Sequence, residues 1–274
     1  MMSGIVKAGT GTGQLIMPLV ASWLISGYGW RNSFIILGIA SMGVIVSIGQ
    51  FLRRDPSQKG LKPYGDYEGS VSSLDLERVG LSLQEAIHTK QFWAICAAYF
   101  IIWYCAQTIM VHLAPHAVDL GVSVAHAAST ISTFGGTSIL GRLIMGGTGD
   151  RVGNRKALVI CFIVLITALG WLQLAKELSA LYLFAVIYGF AHGGFFALIS
   201  PLVAELLGRR SHGSILGAIL SIAHIGGAVG PVVTGRIFDV TSSYQLAFLI
   251  LIAISIAGII LCALLRPIRV QKYR

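Results

Sequence analysis

The sequence predicts an all-α membrane protein with eight transmembrane helices, and three observations carry that prediction. Of 274 residues, 55% are hydrophobic and 11% charged, against roughly 25% charged in a soluble domain. The mean hydropathy is +0.79. The apolar residues gather into stretches near 5–26, 32–52, 92–113, 123–145, 157–175, 180–204, 213–236 and 244–265. Each is about long enough to cross roughly 30 Å of hydrocarbon as a helix. All are continuous apolar runs, without the period-two alternation of a membrane β-strand.

The first two spans, with the rest of residues 1–52, form one segment rich in small residues, among them Gly9, Gly11 and Gly13, with Pro18 for a bend. Small faces let helices approach closely in lipid. Residues 53–91 are polar and carry Pro56, Gly60, Pro63, Gly65 and Gly69, the composition of a flexible cytoplasmic linker. Its end differs: Ser82-Leu-Gln-Glu85 is a capping box, which predicts a short amphipathic helix running along the membrane surface into Phe92. The remaining six spans, in 92–274, make a second helical segment.

Basic residues set the orientation. Sixteen of the 20 Lys and Arg, Lys7 among them, fall on the side of the two termini, and Arg31, Lys176 and Arg236 lie opposite. Short cytoplasmic loops retain Lys and Arg, so the sequence predicts a multi-pass protein of the cell inner (plasma) membrane with both termini cytoplasmic. The net charge of +9 then reflects cations held beside an anionic leaflet. Without any aromatic and basic RNA motif, no nucleic-acid partner is implied. Cys96, Cys105, Cys161 and Cys262 all fall inside spans with no C-x-x-C pair, and read as free packing residues. The start shows no basic n-region or A-x-A site, so the first span is expected to direct insertion.

Between the fourth and fifth spans lies Gly146-Gly-Thr-Gly-Asp150-Arg151-Val-Gly153-Asn-Arg155-Lys156, a tight basic hairpin with glycines at its corners. The pattern G-x-x-x-D-R-x-G-x-R-K resembles the signature loop of the major facilitator superfamily of secondary transporters. By that resemblance Gly146, Asp150, Arg151, Gly153, Arg155 and Lys156 form a conformational latch, with Asp150 accepting from a helix N-terminus while Arg151, Arg155 and Lys156 face the headgroups. A purely topogenic role for the basic residues is the alternative.

An internal repeat points the same way. A shift of 213 residues lays Gly13, Pro18 and Val20 over Gly226, Pro231 and Val233, so the first two spans look like a copy of the last two. Such a shift resembles the parallel repeat relating the two halves of a major facilitator carrier. Against that family's twelve helices the sequence matches the last eight: the last two helices of the N-terminal bundle and a complete C-terminal six-helix bundle. A missing N-terminal four-helix fragment is the expected partner. Gly226, Gly227, Gly230 and Pro231 resemble the gating turn of the family's eleventh helix, with plain packing as the alternative.

Arg142 is the residue on which the functional reading turns. It lies eight residues before Asp150, about 12 Å inside the boundary at 1.5 Å per residue. An arginine at that depth costs several kcal/mol unless it meets a wet cavity or an anion, and its fork suits a carboxylate. The stretch Gly141-Arg142-Leu-Ile-Met-Gly146 is similar to the eighth helix of the monocarboxylate and oxalate-formate branch, where an arginine holds the substrate carboxylate. At the eleventh helix, where oxalate-formate carriers often place a lysine, this chain has His224. That departure removes a permanent charge and favours a monoanion. His224 either titrates in the transport cycle or is a satisfied core histidine.

Ser138, one turn before Arg142 on the same face, joins the candidate site. His112 resembles a cavity-facing position of the monocarboxylate branch. His112, His116 and Asp119 have loosely metal-like spacing, but Pro115 is expected to break their helical face, so no metal site is assigned. His192 reads as a core polar group, and Glu205 with Arg209 as a helix-end ion pair. Neither a P-loop, a dinucleotide fingerprint nor a nucleophile elbow is present, so no catalytic residues and no cofactor are expected. The reading is a secondary active carrier moving a small organic anion, a monocarboxylate, by alternating access with proton symport or exchange. Its rivals are a non-transporting scaffold or sensor subunit and an intramembrane metal enzyme.

Overall fold

The computed structural model describes residues 2–51 and 80–265, with side-chain surroundings from Ile5 onward. Among these, eight helices follow one another: α1 (Met2–Gly49), α2 (Leu83–Ala86), α3 (Lys90–Asp119), α4 (Val124–Val152), α5 (Asn154–Leu172), α6 (Leu178–Leu207), α7 (His212–Thr241) and α8 (Gln245–Leu264). Most of the expected linker, 52–79, lies outside the described residues. The described residues up to Leu19 fold with those from Gly80 onward as one compact unit, and those from Val20 to Phe51 belong to a second.

Six of the helices are long and apolar enough to cross a membrane, not eight, and two departures explain the difference. The first two expected spans are continuous in α1, interrupted only at Gly29, whose backbone (φ 71°, ψ 162°) is non-helical and suits glycine. The other departure is α4, which is long but enriched in Gly, Ser and Thr, so it falls below the apolar threshold. A helix of that composition survives in a bilayer only when other helices cover it, and α4 is covered chiefly by α6.

That pairing depends on glycine. A β-carbon at Gly141 would strike the Phe190 carbonyl, and one at Gly193 would strike the Ser138 carbonyl. The backbones of α4 and α6 therefore touch, as small residues permit in membrane helices. On the other side α3 and α7 make the same kind of contact. A β-carbon at Gly226 would strike Phe100 O, one at Gly230 would lie 2.6 Å from Tyr104 O, and one at Gly227 would lie 2.9 Å from Cγ of Gln107. Pro231 continues α7 without ending it. Tyr99, Phe162, Phe184, Tyr188, Leu198 and Leu202 are buried between these pairs, while the outward positions are Ile, Val and Leu, the surface that lipid covers.

The capping box is present. Ser82 N–H donates to Glu85 Oε2 at 2.7 Å and Glu85 N–H donates to Ser82 Oγ at 3.2 Å. The helix it starts is a single turn, after which Thr89 accepts from Phe92 N–H and caps α3. Leu81 N–H donates to Leu207 O at 3.0 Å, tying this entry to the end of α6. Glu85, exposed, holds its carboxyl below the usual carboxylate range, first because the Ser82 backbone N–H and then because the Ser82 hydroxyl bonds to it. All four cysteines are free and buried.

Two boundaries move, and one expected ion pair is replaced. Pro115 stays inside α3, which runs to Asp119, so the predicted break at Pro115 does not occur. The stretch from Gly146 is not a loop: α4 continues through Asp150 to Val152, and the whole turn is Gly153 (φ 93°). A left-handed glycine reverses the chain at one residue, so no longer loop is needed. The expected Glu205 to Arg209 pair is replaced, since Glu205 Oε2 accepts from Asn154 Nδ2 at 2.7 Å, while Arg210 approaches Glu85 at 3.7 Å.

Candidate functional site

Arg142 sits ten residues from the end of α4, about 15 Å of helical rise, and is 1% exposed. Its Nη1 donates to Ser138 Oγ at 2.6 Å and its Nη2 to Gln14 Oε1 at 3.4 Å. Its Nε is buried with no partner among the described residues. The guanidinium therefore points into protein, toward neutral groups, with donor capacity unused. An uncompensated cation at this depth is costly, about 2.5–3.5 kcal/mol on insertion scales. Ser138, fully buried, donates in turn to Gly135 O at 2.6 Å, which fixes its oxygen toward Arg142.

Helix α1 closes this face. A β-carbon at Gly11 would meet Arg142 Nη1, Ile139 and Ser138 Oγ, and one at Gly135 would meet the backbone of Gln14 and Leu15. Of the three glycines of the first span, Gly11 serves this close crossing over the arginine, while Gly9 and Gly13 face open space. One turn earlier on α1, the half-buried Lys7 donates to Phe196 O of α6 at 2.6 Å. Lys7, counted from sequence among the basic residues of the terminal side, thus turns its side chain into the bundle.

Two further groups adjoin this face: His192, which the sequence reading placed in the core, and Trp103, which it did not single out. His192, 6% exposed, is enclosed by Phe134 (4.7 Å between ring centroids) and Phe196 (4.6 Å), with its Nδ1 buried and unpartnered. The Trp103 ring packs on Phe196 at 5.1 Å, and its Nε1 is also buried without a partner. The available signal was the one-turn spacing Tyr188, His192, Phe196 along α6, which puts all three on one face.

The remaining predicted residues are spread out. His224 is exposed on α7, its Nδ1 2.6 Å from Leu220 O and its ring 4.1 Å from that of Trp103. It does not bond to Arg142 or Ser138; its ring meets that of Trp103, which packs on Phe196. His112 bonds to Pro231 O at 3.0 Å and Tyr244 Oη at 3.3 Å, joining α3 to α7 beside Gly230. His116 packs against the rings of Tyr244 and Phe248. Among the described residues no group of His, Cys, Asp or Glu is arranged to hold a metal.

At the signature segment Gly146 is buried, Asp150, Arg151 and Lys156 are exposed, and Asp150 is engaged in an interaction of its own. Arg155 Nη2 donates to Ala263 O at 2.6 Å, capping the last turn of α8. A cavity of about 580 Å³ opens here, lined by Gly153, Arg155, Lys156, Glu205 and Ala263.

The comparisons with known proteins agree with this architecture. The chain is 26% identical over 270 residues to "Monocarboxylate transporter 12" of Rattus norvegicus, covering 90% of this chain and 55% of that protein. It is 26% identical over 257 residues to "Monocarboxylate transporter 13" of the same organism, covering 93% and 57%. The chain thus spans little more than half the length of these relatives. Among solved structures, a bacterial homolog to the human lysosomal transporter Spinster, in an inward-facing and unoccupied conformation, superposes with a TM-score of 0.51 at 18% identity. It covers 95% of this chain and 61% of that one, and shows the fold. The model of the Major Facilitator Superfamily matches residues 1–129 and again 95–273. With both matches together spanning nearly the whole sequence, the chain belongs to the Major Facilitator Superfamily, a family of membrane transporters and not of enzymes.

Proposed function

We propose that the chain is part of a secondary active carrier that moves a small organic anion by alternating access, with a substrate carboxylate held on Arg142 and Ser138. The observation that carries this reading is the arginine itself: 1% exposed, bonded only to neutral groups, with Nε unpartnered. A carboxylate supplies the acceptors that the protein does not, in bidentate geometry. Similarity to the monocarboxylate transporters supports the same substrate chemistry.

In this reading residues 1–52 are the last two helices of an N-terminal bundle, 53–91 a cytoplasmic linker and 92–274 the C-terminal bundle, with both termini cytoplasmic in the plasma membrane. His224 is the proton site, since its Nδ1 is taken by Leu220 O and Nε2 remains for exchange. The contact of His112 with Pro231 O couples α3 to the turn at Gly226, Gly227 and Gly230. Asp150, Arg151, Gly153, Arg155 and Lys156 with Gly146 latch one state through the end of α8.

The test is uptake of lactate and formate into proteoliposomes, by this chain alone and with an N-terminal four-helix fragment co-expressed. Uptake that falls to background in Arg142→Ala supports the proposal. Uptake undiminished by that change rejects it.

A further inference from the structure

Around Arg142 the structure gathers donors without matching acceptors. Lys7 and Gly11 are one turn apart on the same face of α1, and Gly11 lies directly against the Arg142 guanidinium. Lys7 reaches Phe196 O, three residues beyond Gly193, whose α-carbon faces the Arg142 backbone. Both relations place the ammonium about one turn, or ~6 Å of axial rise, on the cytoplasmic side of the guanidinium.

Neither cation has a carboxylate partner among the described residues. The partner of Lys7 is a backbone carbonyl, and those of Arg142 are a hydroxyl and an amide. Beside them lie two more buried ring nitrogens with no partner among the described residues, His192 Nδ1 and Trp103 Nε1, on rings that both pack against Phe196. Orphaned buried donors cost free energy, and two like charges held together in an apolar bundle cost more. One kind of occupant relieves all of these at once: a compact molecule with acceptors and negative charge at both ends.

Resting on the carrier reading above, we propose that Lys7 is the second substrate-binding cation, and that the substrate is a three- or four-carbon dicarboxylate. One carboxylate is held by Arg142 and Ser138. The other is held by Lys7, with His192 and Trp103 as the flanking donors. The expectation of a monoanion assumed that the second permanent charge was lost at His224. Here it is supplied from a different helix, α1 in place of α7.

The experiment compares succinate with propionate, which differ by one carboxylate, as ligands that raise the unfolding temperature of the purified full chain in detergent. The wild type is expected to bind succinate at least tenfold more tightly than propionate. In Lys7→Gln that ratio collapses to about one, and Lys7→Arg restores most of it. Size-exclusion elution confirms that each variant is folded. A wild type that prefers propionate, or a Lys7→Gln ratio equal to that of the wild type, overturns the dicarboxylate assignment while leaving Arg142 standing. Loss of all anion effects in Arg142→Ala together with a preserved ratio in Lys7→Gln identifies a monoanion carrier. Anion stabilisation unchanged by Arg142→Ala instead rejects the carrier site as a whole.

Discussion

Gly11 of α1 lies so close to Arg142 of α4 that no β-carbon fits between them. This contact brings α1 over the candidate anion site, and in the proposed transport cycle it must part for the substrate to reach Arg142. Gly11→Val should hold the two helices apart, because Ile139 and Ser138 crowd the same point and cannot all retreat. The expected outcome is faster labelling of Ser138→Cys by a small maleimide in the Gly11→Val background than with Gly11 intact. Equal rates would show that this crossing does not control access.

The α4 to α6 seam should be intolerant of added volume. At Gly141 the obstruction is the Phe190 backbone, which has no flexible end to move aside. Gly141→Val should destabilise by about 1–3 kcal/mol. Gly147, on the same helix with open space around it, is the control: Gly147→Ala should be neutral or stabilise by up to about 1 kcal/mol through helix propensity. Thermal unfolding in detergent compares them.

The architecture was largely legible in the sequence because membrane helices announce themselves by length and apolarity, and the repeat of Gly13 and Pro18 at Gly226 and Pro231 needs only matching. The break at Gly29 fell within the expected gap between the first two spans. What sequence reasoning could not supply was side-chain direction. Lys7 looked like a topogenic cation because position along the chain gives depth, not the face of the helix. The crossing at Gly11 decides that face, and it depends on an approach between segments more than 120 residues apart. The same gap explains Arg155, which sequence sent to the headgroups and the fold sends to Ala263 O. Pro115 misled because a proline near a helix end is as compatible with continuation as with a stop.

The α2 capping box gives a pH dependence. Hydrogen bonds from Ser82 hold the Glu85 carboxyl below its ordinary value, so the folded form binds its proton less readily than the unfolded one. The stabilisation is therefore fully present above the usual carboxylate pKa and is lost as pH falls through the lowered folded value. Hydrogen exchange of the Ser82 and Glu85 amides should accelerate relative to the wild type in Glu85→Gln at neutral pH. That difference should shrink as the pH is taken below the carboxylate range.

Arg155 ties α5 to the end of α8 through Ala263 O. Arg155→Gln should leave the helices formed but loosen that end, seen as increased protease or exchange sensitivity confined to the last turn of α8. Arg151→Gln, exposed on the surface, should not reproduce it. Identical behaviour of the two would assign both residues to topology alone.

The central claim is that the Arg142 guanidinium is kept inside the bundle for an anion. Its most direct measurement is the shift in unfolding temperature of the purified chain on adding carboxylate ligands, in wild type and in Arg142→Gln. A ligand that binds the folded state stabilises it by about 2.7 kcal/mol at a hundred times its Kd, enough for a clear rise in the wild type. The account predicts that rise in the wild type and none in Arg142→Gln. Equal shifts in the two proteins would contradict it.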